Sequence, residues 1–239
     1  ERAIAISRET RDYLEHEFGV PSNKIRVIYN GVDEQYFRPP TERERMQARQ
    51  ELGVRAEDYV ASLIGRLERV KGHDVLINAL AKLRKMGLDV VALLAGSGSE
   101  ADTIRRLAVE AGVSDLIRLV GYVDSRLVLW ASDVSVLPSR QEGFPLVVVE
   151  AMMCGVVPIR TPAAGAFDQI EDGVNEFIVP FDDPETLALR MKQVLEDAEL
   201  RMRLSAAAIE SARQRFCKRQ MVDNTTAVYE EALISSQKV

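Results

Sequence analysis

Six short apolar runs, most of them closing on a glycine or a small polar residue, constrain this chain more than any other feature: residues 59–65, 89–96, 116–121, 134–139, 156–161 and 176–180. Their Val, Ile and Leu residues run on without alternating with polar ones, as strands covered on both faces require, and that means a parallel sheet. Between the first two runs Leu76, Ala79, Leu80, Leu83 and Met86 fall on one helical face, and between the next two Ile104, Leu107, Ala108 and Ala111 do the same. Strand alternating with helix predicts right-handed βαβ crossovers and an α/β, Rossmann-like, doubly wound parallel sheet. A chain of 239 residues, 46% hydrophobic, has enough apolar material to bury such a core.

The flanks read differently. Residues 1–37 predict a strand from Ala3, a helix with Ser7 as N-cap and Leu14 and Phe18 on one face, a strand from Ile25 to Tyr29, and a turn at Asn30-Gly31-Val32-Asp33. They look like the end of a preceding domain, so the sequence reads as a fragment. Residues 38–217 form the expected nucleotide-binding domain. After Pro180 nearly everything is helical, and residues 218–239 carry Met221, Thr225, Val228 and Ala232 on one stripe that must face something.

A net charge of −6 supplies no overall basic field, which argues against nucleic acid as a partner. Cys154 and Cys217 are too far apart in sequence for a zinc pair, and His16 and His73 have no ligand-like neighbours, so neither metal nor disulfide is expected. No run approaches the roughly 20 apolar residues that span a bilayer, and no signal-peptide pattern opens the chain; a cytoplasmic setting is expected.

In an open parallel sheet, ligands bind beyond the carboxyl ends of the strands. Just past those ends lie Gly65-Arg66-Leu67-Glu68-Arg69-Val70-Lys71-Gly72, then Gly96-Ser97-Gly98, then Gly121-Tyr122-Val123, then Ser139-Arg140-Gln141-Glu142-Gly143-Phe144-Pro145-Leu146. Arg66 offers a planar fork and Lys71 a point charge, the combination a diphosphate needs; the alternative is two solvated cations beside a helix start. Pro145 suits the first helical position and Gly155 the position after the last, so the helix between them points its N-terminal amides into the crevice. Glu142 sits in the loop before it. Glu150 leans back toward that end and could reach a ligand there, or else face solvent or an arginine. Gly96-Ser97-Gly98-Ser99-Glu100-Ala101 matches the dinucleotide fingerprint but follows the second core strand, and no ribose-binding acid follows it, so it reads as a tight turn lining the crevice. Asp182-Asp183-Pro184-Glu185 reads as a helix start with Asp183 as N-cap rather than a metal dyad, and Trp130, Met152 and Met153 as core.

Taken together, the strand ending in Gly-Arg-Leu, Lys71-Gly72, and the run from Glu142 to Glu150 leading into Ala-Met-Met-Cys-Gly resemble glycosyltransferase family 4, the large retaining family of GT-B fold. Ile25-Arg-Val-Ile-Tyr-Asn30-Gly31-Val32-Asp33 with Phe37 looks like that family's crossing between its two domains, and the likeness covers nearly the whole chain. The resemblance implies a donor-binding half that helps move a hexosyl unit from a UDP- or GDP-sugar to an acceptor hydroxyl, without a metal. Arg66, Lys71 and Glu142 are its implied catalytic residues: the cations would hold the diphosphate, and Glu142 the sugar hydroxyls. Glu150 would take the ribose. Gly65, Gly96, Gly98, Gly143, Phe144, Pro145 and Leu146 would line the donor, and main chain at Tyr122 and Val123 would meet the base. The acceptor would come through the missing N-terminal domain, toward which the last helix returns; any contact with the inner face of the membrane would fall to that domain too. Three residues depart from the family pattern: Ala164 for a second glycine, Asp168 for a glutamate, and Glu176 for a glycine. A dinucleotide-binding oxidoreductase domain and a non-catalytic sugar-nucleotide-binding domain are the alternatives.

Overall fold

A computed structural model describes residues 2–236. The chain opens with β1 (Ala3–Ala5), α1 (Arg8–Phe18) and β2 (Ile25–Val27), the strands pairing in parallel. The Ser7 hydroxyl caps α1 by accepting from the Thr10 amide at 3.0 Å, as the sequence implied. Phe18 departs from expectation: it is exposed and meets only the edge of Tyr13 among ring contacts, because α1 is just one layer against a two-stranded sheet and buries no residue completely. The expected second strand also stops early, at Val27, with the Ile28 amide still donating to the Ala5 carbonyl at 2.9 Å.

After α2 (Glu42–Glu51), opened by a Thr41–Glu44 capping box, the alternation begins. It runs β3 (Tyr59–Ile64), α3 (His73–Lys85), β4 (Val90–Ala95), α4 (Ala101–Glu110), β5 (Ile117–Gly121), α5 (Ser125–Ala131), β6 (Val134–Leu137), α6 (Leu146–Met153), β7 (Val157–Arg160), α7 (Ala166–Gln169) and β8 (Phe177–Ile178). All six strands β3 to β8 are parallel, in the order β5-β4-β3-β6-β7-β8. Each predicted apolar run therefore contains one strand of this sheet. Helices α8 (Pro184–Glu196), α9 (Ala198–Arg215) and α10 (Lys218–Ser236) complete the chain; Asp183 caps α8 with Pro184 at its first position, as expected.

Strand β4 shows why the runs do not alternate. Val90, Ala92 and Leu94 enter one apolar cluster with Leu76, Leu80, Leu83 and Ile104, whereas Val91, Leu93 and Ala95 enter another with Ala48, Leu129 and Trp130. Both sheet faces are thus covered, and each fully buried aliphatic side chain contributes on the order of 1.5–3 kcal/mol. Met86, expected on the buried stripe of α3, is instead its exposed C-cap, one turn past the sheet. A third cluster gathers Phe144, Val148 and Met152 against Ala208, Ala212 and Phe216.

Near residue 32 the chain passes itself. The Val32 amide donates to the Phe216 carbonyl at 2.8 Å, and the Lys218 amide donates back to Val32 at 2.9 Å. Gly31 is required there, since a Cβ would lie 2.6 Å from the Cys217 carbonyl oxygen. Helix α10 then runs back to β2, where Arg26 pairs with Glu231 at 3.0 Å; Val228, on the expected stripe, is buried.

Candidate functional site

Strand order reverses beside β3: the chain goes from β3 outward to β4 and β5, then returns to lay β6 on the other side of β3. The loops leaving β3 and β6 diverge from adjacent strands, so a crevice opens between them at their carboxyl ends. These are the loops that carry Arg66 with Lys71 and Glu142.

The structure brings Lys71 and Glu142 into contact, with Nζ 2.7 Å from Oε1 and the two side chains 16% and 9% exposed. The approach is set by backbone. Gly72, at φ +72°, has no room for a side chain, as a Cβ would lie 2.2 Å from the Pro138 carbonyl oxygen. The Arg140 amide donates to the Val70 carbonyl at 2.8 Å, and its guanidinium reaches the Arg69 carbonyl and forms a fork with Asp74 at 3.1 and 2.7 Å. Arg140 also pairs with Asp182, and these two carboxylates hold its guanidinium well above the usual arginine range. The sequence reading gave Arg140 no role; its place one residue past the end of the fourth predicted run was the available signal.

Gly65 joins the ion pair to the rest of the site. The Lys71 side chain passes over it, its Cε 3.5 Å from where a Cβ would stand, and Gly65 lines a cavity of about 850 Å³. Arg66, Gly96, Tyr122, Val123 and Glu150 line the same cavity. Arg66 is 71% exposed and rests on Glu68 at 2.7 Å, a surface pair of little stabilising worth that leaves its guanidinium free to move. Tyr122 is 92% exposed. Glu150 is half-buried; burial pushes its carboxyl above the ordinary range, a hydrogen bond with Ser125 opposes the shift, and nearby Asp124 adds to it. No arginine claims this acid among the described ion pairs, and it lines the cavity. Asp124 and Ser125 line the wall beside it, as does Tyr36, whose hydroxyl donates to Asp124 at 2.5 Å under the Arg126 guanidinium. The sequence reading missed these three; an Asp-Ser cap just past the third strand end was the signal for two of them.

Other expected residues are placed near the crevice with their side chains engaged elsewhere. The Gly96 and Gly98 turn serves packing between loops: Cβ atoms there would lie 2.0 Å from the Gly65 oxygen and 2.3 Å from the Leu67 oxygen. Its fingerprint-like glycines are thereby explained without a dinucleotide. Phe144 is a core ring, stacked on Tyr29 with centroids 5.5 Å apart, so only its main chain can serve a ligand. Gly143 lies beneath Gly165, whose Cβ would come 2.6 Å from the Gly143 oxygen. Pro145 is the N-cap of α6 rather than its first residue, and Leu146 opens the helix, a shift of one position, while Gly155 follows the Cys154 C-cap at φ +73° as expected.

Cys154 and Cys217 are free, and no cluster of potential metal ligands occurs among the described residues. His73, at the start of α3 behind Lys71, is buried and its titration is pushed down to about 4 by loss of solvent.

Two family models match the chain: glycosyl transferases group 1 over residues 44–211, and Glycosyltransferase Family 4 over residues 1–36. A D-inositol 3-phosphate glycosyltransferase of Saccharomonospora viridis is 35% identical over 245 residues, covering 98% of this chain and 56% of that protein. An enzyme of the same name from Corynebacterium aurimucosum is 31% identical, covering 88% of this chain and 52% of that one. The chain thus spans about half the length of these relatives. Among solved structures, Anabaena HepE in complex with UDP and glucose superposes with a TM-score of 0.88 at 27% identity, over 96% of this chain and 62% of that one. A glycosyltransferase from Rickettsia africae reaches a TM-score of 0.91 at 22% identity, over 98% and 64%.

Proposed function

This chain belongs to the glycosyl transferases group 1 family, and from that premise we propose that it is the donor-binding half of a retaining hexosyltransferase using a UDP- or GDP-sugar. The observation that carries the proposal is the meeting of Lys71 with Glu142 over Gly65 at the strand-order reversal, beside the cavity lined by Arg66 and Glu150. In this reading Arg66 and Lys71 meet the donor's diphosphate, Glu142 a hydroxyl of the transferred sugar, Glu150 the ribose, and main chain at Tyr122 and Val123 the base. The start of α6 points its free amides at the same place.

In the transfer, the bond from the anomeric carbon to the diphosphate oxygen breaks, a bond to the acceptor oxygen forms on the same face, and the acceptor hydroxyl's proton passes to the departing diphosphate. Charge grows on the leaving diphosphate, so cations aimed there act more in the transition state than in the ground state. Two side-chain cations and a helix end supply that stabilisation, and the proposal accordingly includes a metal-independent reaction, with turnover unchanged by a chelator. The acceptor site lies in the part of the relatives' length that this chain does not span. No helix among the described residues is long and apolar enough to cross a membrane; a cytoplasmic enzyme, meeting a membrane only through its acceptor half, completes the reading.

A thermal-shift panel of UDP-, GDP- and ADP-sugars tests it. Because HepE is seen with UDP, UDP-sugars are the first choice. A ligand at a hundred times its dissociation constant should stabilise the chain by about 2.7 kcal/mol. No shift with any UDP- or GDP-sugar would contradict the proposal.

A further inference from the structure

Beneath the crevice lies a charged network that the donor-site reading does not use. Arg160, the last residue of β7, and Glu176, just before β8, are both 0% exposed. Taking a guanidinium and a carboxylate out of water is costly unless every polar atom is met, so such a pair calls for a reason. Arg160 is met on all sides by backbone and amide oxygens: Nε donates to the Thr161 carbonyl at 3.2 Å, Nη1 to Gln169 Oε1 at 2.5 Å, and Nη2 to the Ala163 and Ala164 carbonyls at 2.9 and 3.2 Å. Glu176 accepts no hydrogen bond from the described residues, and burial pushes its carboxyl well above the ordinary carboxylate range, against the pull of the nearby Arg160 charge.

The partners of Arg160 all lead to the donor site. Gln169, itself fully buried, passes the contact on: its Nε2 donates to the Pro145 carbonyl at 3.0 Å, and Pro145 caps α6. The Ala163 and Ala164 carbonyls belong to the loop that lays Gly165 on the Gly143 oxygen. One guanidinium therefore fixes two supports of residues 143–146, one at the helix start and one under the loop before it. Ala164 and Glu176, two of the residues that depart from the family pattern, are both part of this arrangement.

We propose that Arg160 is a positioning residue of the donor site: working through Gln169 and the loop at residues 161–165, it fixes the start of α6 and the Glu142 loop against the sugar end of the donor. The inference rests on the donor-site reading above. Arg160 touches no substrate in it; the main chain of residues 143–146 does. Lysine cannot replace the fork, since one ammonium cannot reach Gln169 and the 163–164 carbonyls together.

Two variants of the full chain test this, Arg160→Lys and Gln169→Met. The second keeps the Arg160 guanidinium on the 161, 163 and 164 carbonyls and cuts the relay through Gln169 to Pro145, so it remains informative if the first fails to fold. Hydrogen exchange should quicken about tenfold at the amides of Val148, Val149 and Glu150 and stay unchanged in β3 and β4. Titration should show bare UDP bound within about twofold of wild type, while the additional affinity conferred by the sugar falls about tenfold. Unchanged exchange at the start of α6, or equal loss of nucleotide and sugar-nucleotide affinity, overturns the proposal. Wild-type protein that binds no sugar nucleotide would instead strike the donor reading, and the exchange measurement would still decide whether Arg160 holds the helix.

Discussion

The wall of the crevice built by the loops after β3 and β6 holds Lys71 and Glu142 together at 2.7 Å, backed by Arg140 and Asp74, with little of either side chain exposed. The wall built by Arg66, Tyr122 and the start of α5 has side chains 71% and 92% exposed and an acid, Glu150, bonded only by a serine hydroxyl among the described contacts. One wall is organised before anything binds; the other can close over whatever arrives. Under the proposed function the first receives the sugar, where geometry governs the rate, each wall lends one cation to the diphosphate, and the second receives the nucleoside, where adaptable contact is enough.

The difference between the walls is broken most severely by removing one cation from each. Lys71→Ala and Arg66→Ala should each lower kcat/KM of the complete enzyme by roughly a hundredfold or more, the cost of losing one donor to developing charge. Only Lys71→Ala should also lower Tm, by roughly a few degrees, because it leaves Glu142 nearly buried without its cation. Near-normal turnover by Arg66→Ala, or an equal fall in Tm for both, would erase the distinction.

Acid sharpens the comparison from behind the organised wall. His73 is neutral in the fold because its titration lies near 4, against about 6.5 when unfolded. Its contribution to stability is therefore whole above about pH 6.5 and is lost as pH falls toward 4, where the unfolded chain takes up the proton first. The loss amounts to about 3 kcal/mol between those limits. Denaturant melts at pH 7 and 4.5 should show this decline in wild type and a shallower one in His73→Asn.

The two acids should separate by ligand. Glu150→Ala is expected to weaken binding of bare nucleotide by about tenfold, and Glu142→Ala mainly the increment that the sugar adds, by a similar factor. Calorimetry with UDP and a UDP-sugar resolves them, and equal losses for both variants would reject the division. The smallest effect belongs to Tyr122→Ala: if only main chain meets the base there, affinity should change by less than about threefold.

How far the sequence reveals this arrangement depends on the range of the interaction involved. The strands were legible because an unalternating run such as residues 89–96 states locally that both faces are covered, as β4 proves to be. The Asp183 and Ser7 caps were legible for the same reason, each depending on the next few residues. The Lys71–Glu142 contact was not, although both residues were singled out, because it depends on β6 returning beside β3, and spacing along the chain carries no strand order. Arg160 sat unnoticed inside an apolar run, where a lone arginine reads as a strand end; its partner Gln169, at the end of α7, acquires meaning only once folded against it. Phe144 was legible only as a stretch of main chain lining the crevice; that its ring packs onto Tyr29 and Phe216 depends on chain segments far away in sequence.

In the proposed function the cations of the β3 loop and the carboxylates flanking the start of α6 grip a single sugar nucleotide. A crystal structure of the chain with a UDP-sugar bound tests this outright. Diphosphate oxygens should lie within hydrogen-bond distance of both Arg66 and Lys71, with a sugar hydroxyl on Glu142 and the ribose on Glu150. A nucleotide bound with its diphosphate away from both cations, or its ribose away from Glu150, would contradict it.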